Sequence, residues 1–356
     1  MVDFIVEIPK GKTPIILQLS DPQMLDSSQA VPGRLSQGED TYWARDKKEE
    51  RCFKYIREII DNTRPDLILI AGDIVYGEFD HDGSGLLSFI EFMEGFNIPW
   101  APVLGNHETE SKMGADWQCE QLENAKNCLF KQRTLTGNGN YTVGVKQDGK
   151  LIRVFYMVDS NSGSPSEKSI ANGHSQHKTG FGADQIEWFT GDIKSIRNKN
   201  PHVNISFMFH IPIHAFELAL EKYGYSRDKS RCAFPLVIDN FDKSGRDFGV
   251  VMYPIDRFDE DNSIYELFKE LGVDSVLVGH DHEVSASVVY EGIRFQFGLK
   301  SSTYDSNIYE NGEGKLVKSW VPAGKPVIGG TVWELDSQGG IAKAYHHYCQ
   351  NVTFEV

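Results

Sequence analysis

DLILIAGDIVYGEFDHDGSGLLSFIE, residues Asp66–Glu91, decides how the rest of the chain is read. Its first part is a short apolar run, Leu67–Ala71. A strand buried on both faces has this look, because a sheet covered on each side asks for apolar side chains at every position. The run stops at Gly72-Asp73. Glycine lets the backbone pass close to a neighbour there, and the carboxylate is delivered just past the strand end. Further on, LLSFIEFMEGF (Leu86–Phe96) has helical spacing.

The same grammar repeats outward from this stretch. PIILQLS (Pro14–Ser20) ends at Asp21, APVLG (Ala101–Gly105) at Asn106, NISFMFH (Asn204–His210) at His210 and VDSVLVG (Val273–Gly279) at His280. LIRVFYMVDS (Leu151–Ser160) is a longer strand. Amphipathic helices are expected at Asp46–Arg64, Gly182–Ile196 and Ser263–Leu271. Strands alternating with helices predict an α/β fold. In open α/β sheets, ligands sit beyond the carboxyl ends of the strands, where these polar residues fall. From about Val284 the pattern changes to alternating strands with Gly turns. We expect one domain over residues 1–356, with the strands of about 284–356 completing the second sheet. The Gly/Ser-rich piece Ser160–Gly180 reads as a loop near the site.

Composition narrows the classes. The chain has 356 residues, 40% hydrophobic and 24% charged, as a globular protein should. Its net charge is -15, so nucleic acid and anionic membranes are not expected partners. No apolar run is long enough to span a membrane. A cytoplasmic protein is the default expectation, although a removed signal peptide would leave no trace. The 5 cysteines form no CxxC pair and suit free thiols.

The strand-end residues form one set: Asp21 with Gln23, Asp73 with Tyr76, Asn106 with His107, then His210, His280 and His282. Carboxylates, amide oxygens and imidazoles brought to one sheet edge suit a pair of divalent metals, with Asp73 as the natural bridge.

DPQ (Asp21–Gln23), GDIVY (Gly72–Tyr76), GNHE (Gly105–Glu108), FMFH (Phe207–His210) and GHDH (Gly279–His282) together resemble the calcineurin-like metallophosphoesterases in order and spacing. Within that family, IPWAPVLGNHE, HIPI and GIRFQFGLK look most like the branch related to purple acid phosphatases. The resemblance implies a four-layer αββα sandwich of two mixed sheets flanked by helices. It implies a phosphate monoester or diester as substrate, either a small ester or a phosphorylated macromolecule. It places Asp21 and His282 on one metal, Asn106, His210 and His280 on the other, and Asp73 between them. His107 would steady a phosphoryl oxygen or protonate the leaving group. Two such metals about 3.5–4 Å apart can share a hydroxide that attacks phosphorus in line. The usual first motif is Asp-x-His, whereas this chain has Gln23. Gln23, or Tyr76 as in purple acid phosphatases, would complete the first metal shell, and Gln23 is preferred. The cofactors implied are two transition metals, Mn, Fe or Zn.

DHDGSGLLSFIE also carries the twelve-residue spacing of a calcium loop, with Asp80, Asp82, Ser84, Ser88 and Glu91 as donors and Gly85 at the turn. It lacks an entering helix. The alternatives are a polar loop that caps the next helix and one structural calcium ion. His214, four residues after His210, either lines the substrate pocket or sits on a surface helix, and Lys300 and Tyr304 are expected near substrate from their place after a strand.

Overall fold

Two short apolar runs near the chain start pair with strands far along the sequence, and that sets the frame. The computed structural model describes residues 2–26, 28–29, 48–163, 177–178, 180–228, 231–232, 234–238, 246–259, 262–302 and 328–349. In chain order the first half holds Phe4–Ile8 (β1), Ile15–Leu19 (β2), Lys48–Thr63 (α1), Leu67–Ile70 (β3), Ser84–Glu94 (α2), Trp100–Pro102 (β4), Gly114–Asn124 (α3), Tyr141–Gln147 (β5), Lys150–Met157 (β6), Ser162–Gly163 (β7) and His177–Lys178 (β8). The second half holds Ala183–Lys199 (α4), Asn204–Met208 (β9), Ala215–Glu221 (α5), Leu236–Val237 (β10), Val250–Val251 (β11), Ser263–Leu271 (α6), Ser275–Val278 (β12), Ser287–Tyr290 (β13), Ile293–Phe297 (β14), Gly329–Leu335 (β15) and Ile341–Tyr348 (β16).

Two mixed sheets carry the fold. The seven-stranded sheet runs β1-β5-β6-β9-β12-β14-β13, and the five-stranded sheet runs β16-β15-β2-β3-β4. Side chains alternate between layers along the central strands. Phe155, Met157, Met208 and Leu277 join one core, shared with β2, β3 and α1. Val154, Tyr156, Phe207, Val276 and Val278 join the other core, beneath α4, α5 and α6. The order is helices, sheet, sheet, helices, as the expected four-layer αββα sandwich requires. α1 shows why its segment is helical: Cys52, Tyr55, Ile56, Ile59 and Ile60 are buried, one stripe at helical spacing.

Some expectations shift. The strand expected at Ala101–Gly105 is centred earlier, at Trp100–Pro102, because Val103–Gly105 already belong to the turn that delivers Asn106. The strands after Val284 do not all close one sheet. β13 and β14 extend the sheet beyond β12, while β15 and β16 join β2. Of the Ser160–Gly180 loop, residues 164–176 and 179 lie outside the described residues, as does Tyr304.

Candidate metal centre

Five strands end at one place. β2 leads to Asp21 and Gln23, β3 to Asp73, and β4 to Asn106 and His107, all from the five-stranded sheet. β9 leads to His210, and β12 to His280 and His282, from the facing sheet. The turns are strained. Asp21, Gln23, Asp73 and His280 have φ of 50, 48, 48 and 73°, a left-handed conformation that costs a side-chain-bearing residue energy. Glycine supplies the close approach between turns: a Cβ on Gly105 would stand 2.2 Å from Asp73 Oδ1.

One group gathers on Asn106, which is fully buried. Its Oδ1 lies 3.1 Å from His210 Nε2 and 2.9 Å from His280 Nδ1. His210 Nε2 also lies 3.2 Å from Asp73 Oδ2. His210 Nδ1 faces Ala71 O at 2.7 Å, so that nitrogen carries the proton. In the neutral ring, Nε2 would then aim a lone pair at two acceptor oxygens. Only a cation or a proton resolves that contact. Burial pulls the His210 pKa down, but the Asp73 carboxylate outweighs it and raises it to about 10. Asp73 is pushed up by burial and pulled far below the usual carboxylate range by His210 and His107.

A second group shares Asp73. Ligand atoms of Asp21, Asp73 and His282 all lie within 4.8 Å of one another. His282 Nε2 is 3.3 Å from Asp21 Oδ1. Gln23 Nε2 is 3.2 Å from the same His282 nitrogen, and Gln23 Oε1 accepts from Lys300 Nζ at 2.9 Å. Lys300 is therefore part of the centre's wall, 4% exposed.

His107 borders both groups. Its Nδ1 faces Glu110 Oε2 at 2.7 Å and its Nε2 is 3.8 Å from Asp73 Oδ2. Burial lowers its pKa, but Glu110 and Asp73 outweigh burial and raise it to about 9. Tyr76 stacks on the His107 ring at 4.2 Å between centroids. Glu108, fully buried, ties two turns together by accepting from Ile74 N and Gly105 N, each at 2.6 Å.

His214 stands apart from these residues. Among the described residues its ring faces Asn262 Oδ1 at 2.9 Å and Glu217 Oε2 at 3.8 Å. Calcium at Asp80, Asp82, Ser84, Ser88 and Glu91 is not shown. α2 already begins at Ser84, inside the supposed loop. Asp80 Oδ1 accepts from Gly85 N at 2.7 Å and Oδ2 from Leu86 N at 3.1 Å, so both oxygens satisfy the helix start. Asp82 Oδ1 accepts from Ser84 N at 3.0 Å. Glu91 sits two turns down the helix, about 10 Å along its axis from Ser84, and is exposed. The stretch forms the start of α2, as the helix-capping alternative expects, and calcium is not shown there.

Sequence reasoning missed Asp256, whose Oδ2 lies 3.1 Å from His280 Nε2. It also missed the clamp made by Glu108 and the contact of Lys300 with Gln23. Asp256 lies in irregular chain with no periodic signal around it.

The donor set fits divalent cations. Oxygens and imidazole nitrogens converge there, with His107 N donating to Asp73 Oδ1 and His280 N to Asp21 Oδ1, and the buried Asn106 Nδ2 has no hydrogen-bond partner among the described residues, which leaves Oδ1 as its working atom.

The profile of the calcineurin-like phosphoesterase family matches residues 15–284. The probable inactive purple acid phosphatase 28 of Arabidopsis thaliana is 29% identical over 181 residues, 45% of this chain and 44% of that protein. The phosphatase DCR2 of Saccharomyces cerevisiae is 23% identical over 250 residues, 66% of this chain and 39% of that protein. The chain thus spans less than half the length of these curated relatives. A dimetal phosphatase from Danio rerio superposes with a TM-score of 0.48 at 13% identity, over 91% of this chain and 93% of that one.

Proposed function

The chain belongs to the calcineurin-like phosphoesterase family, and from that premise we propose that it is a binuclear metal-dependent hydrolase of a phosphate monoester or diester. One observation carries this reading: Asp73 takes part in both groups of converging ligand atoms. Asp21, Asp73 and His282 would hold one metal, and Asp73, Asn106, His210 and His280 the other. Mn, Fe or Zn suits such mixed oxygen and imidazole ligands. When bound, such a pair supplies Lewis acidity to phosphoryl oxygens and acidifies water.

The chain's own residues do the rest. His210 is fixed by its bond to Ala71 O, so its Nε2 can face only the centre. Glu110 holds His107 Nδ1 and leaves Nε2 on the side of Asp73, where it can hydrogen-bond a phosphoryl oxygen or pass a proton to the leaving oxygen. Tyr76 then acts as the surface on which the His107 ring lies. His214 would meet only a substrate large enough to reach past Asn262. The substrate is a small phosphate ester or a phosphorylated macromolecule. Among the described residues no helix is long and apolar enough to cross a membrane. We read residues 1–356 as one domain, because β15 returns to pair with β2.

One observation favours a second reading, a catalytically weak metal-binding scaffold: Lys300 occupies the carbonyl oxygen of Gln23. Hydrolysis of p-nitrophenyl phosphate and bis-p-nitrophenyl phosphate separates the two. Metal-stripped protein refilled with Mn, Fe, Zn or Mg should turn over one ester, and Asp73→Asn and His280→Ala should lose that turnover while staying folded. Folded protein inactive with every metal would favour the scaffold.

A further inference from the structure

We propose that Lys300 makes the centre unequal: by holding the Gln23 carbonyl oxygen, it leaves Asp21 and His282 a weak metal position beside a tight one at Asp73, Asn106, His210 and His280. This rests on the metal-centre reading above and concerns how this chain would fill it.

A lysine ammonium has three donors and no acceptor. Lys300 Nζ donates to Gln23 Oε1 at 2.9 Å and to Asp21 O at 3.2 Å. Exchanging the Gln23 amide atoms would set donor against donor, so the amide orientation follows from the lysine. Gln23 therefore turns its NH2 toward His282 Nε2, at 3.2 Å. An amide nitrogen has no lone pair to give a metal. The oxygen that could act as a ligand is occupied, in a place where Gln23 is 1% exposed and Lys300 4% exposed.

The lysine is also held in place. Ser20 and Lys300 form a parallel bridge. Ser301 N donates to Ser20 O at 2.9 Å, and Gly329 N donates to Lys300 O at 2.8 Å. Ser20 N donates to Ser301 Oγ at 3.0 Å. The backbone that carries the ammonium is thus tied to both β2 and β15. A metal held by Asp21 and His282 would sit beside this fixed cation, and like charges in a buried site repel strongly. The other half has the four ligands Asp73, Asn106, His210 and His280.

Calorimetric titration of metal-free protein with manganese(II), with the electron paramagnetic resonance spectrum followed in parallel, tests this. Wild type should bind in two steps with dissociation constants more than about tenfold apart, and Lys300→Met should tighten the weaker step by about tenfold or more while leaving the tighter one in place. Asn106→Ala should remove the tighter step. If Lys300→Met does not fold, the wild-type spectrum decides: the first equivalent should give an uncoupled manganese signal, with a coupled pair only in excess metal. Two equal steps, a coupled pair from the first equivalent, or a weaker step unmoved in folded Lys300→Met would overturn the inference and spare the metal centre. No binding step in folded wild type would overturn both.

Discussion

Asp256 Oδ2 lies 3.1 Å from His280 Nε2, on the opposite side of the ring from Asn106 Oδ1 at 2.9 Å from Nδ1. The imidazole is gripped at both nitrogens. Asp256 is itself placed by Asp281, whose Oδ2 accepts from Asp256 N at 3.1 Å. Asp281, between the two histidines of GHDH, thus orients the carboxylate that orients the first histidine. Such outer partners fix which ring nitrogen is left for a metal. Asp256→Ala is expected to weaken manganese(II) binding at the tighter step by about tenfold, with the fold unchanged, since a half-exposed carboxylate carries little packing. Calorimetry reads the affinity and circular dichroism the fold.

Glu108 offers a stability test. It accepts from Ile74 N and Gly105 N, and at 3.4 Å from Val75 N, in a fully buried place. Burial, then the charge of Asp73, raises its pKa to about 7. Glu108→Ala strands these donors and should cost about 2–4 kcal/mol. The expected result is a lower urea midpoint with an unchanged slope.

Asp259 gives a pH test away from the candidate ligands. Burial raises its pKa from 3.8 to about 6, against the opposing pull of its hydrogen bond from His214 N and the charge of Arg257. A carboxyl whose folded pKa lies above the unfolded value takes up a proton in the folded state first. Its ionisation therefore costs stability above about pH 6, and that cost is relieved as pH falls toward 4. Asp259→Asn should gain stability over wild type at pH 7, and the gap should close as pH falls from 6 to 4. Melting curves of both proteins across that range check it.

All five cysteines are buried and free. Burial pushes the Cys119 thiol up to about 12 and Cys128 well above its ordinary value. Thiolates are the reactive form, so these groups should be inert in the folded protein. A disulfide-exchange reagent should label almost nothing in native protein and all five thiols in denaturant.

The sequence made the strand-end set legible for a physical reason. A strand buried on both faces must be apolar, so Asp21, Asp73, Asn106, His210 and His280 stand out where each run stops. It left two contacts hidden. Gln23 and Lys300 are 277 positions apart, and they meet only because Ser20 bridges Lys300 when the C-terminal strands return to β2. Asp256 meets His280 from irregular chain, where no spacing marks a residue. The two readings of the Asp80–Glu91 stretch stayed open for a different reason. Donor spacing is a one-dimensional pattern, and it cannot tell a loop from a helix that begins at Ser84 with Asp80 accepting from its first-turn amides.

The most direct test of the metal centre is anomalous diffraction at the manganese edge from crystals grown with that metal. The account predicts a strong peak enclosed by Asp73, Asn106, His210 and His280, with any second, weaker peak beside Asp21 and His282. Density for manganese only elsewhere, or none among these residues at saturating metal, would contradict it.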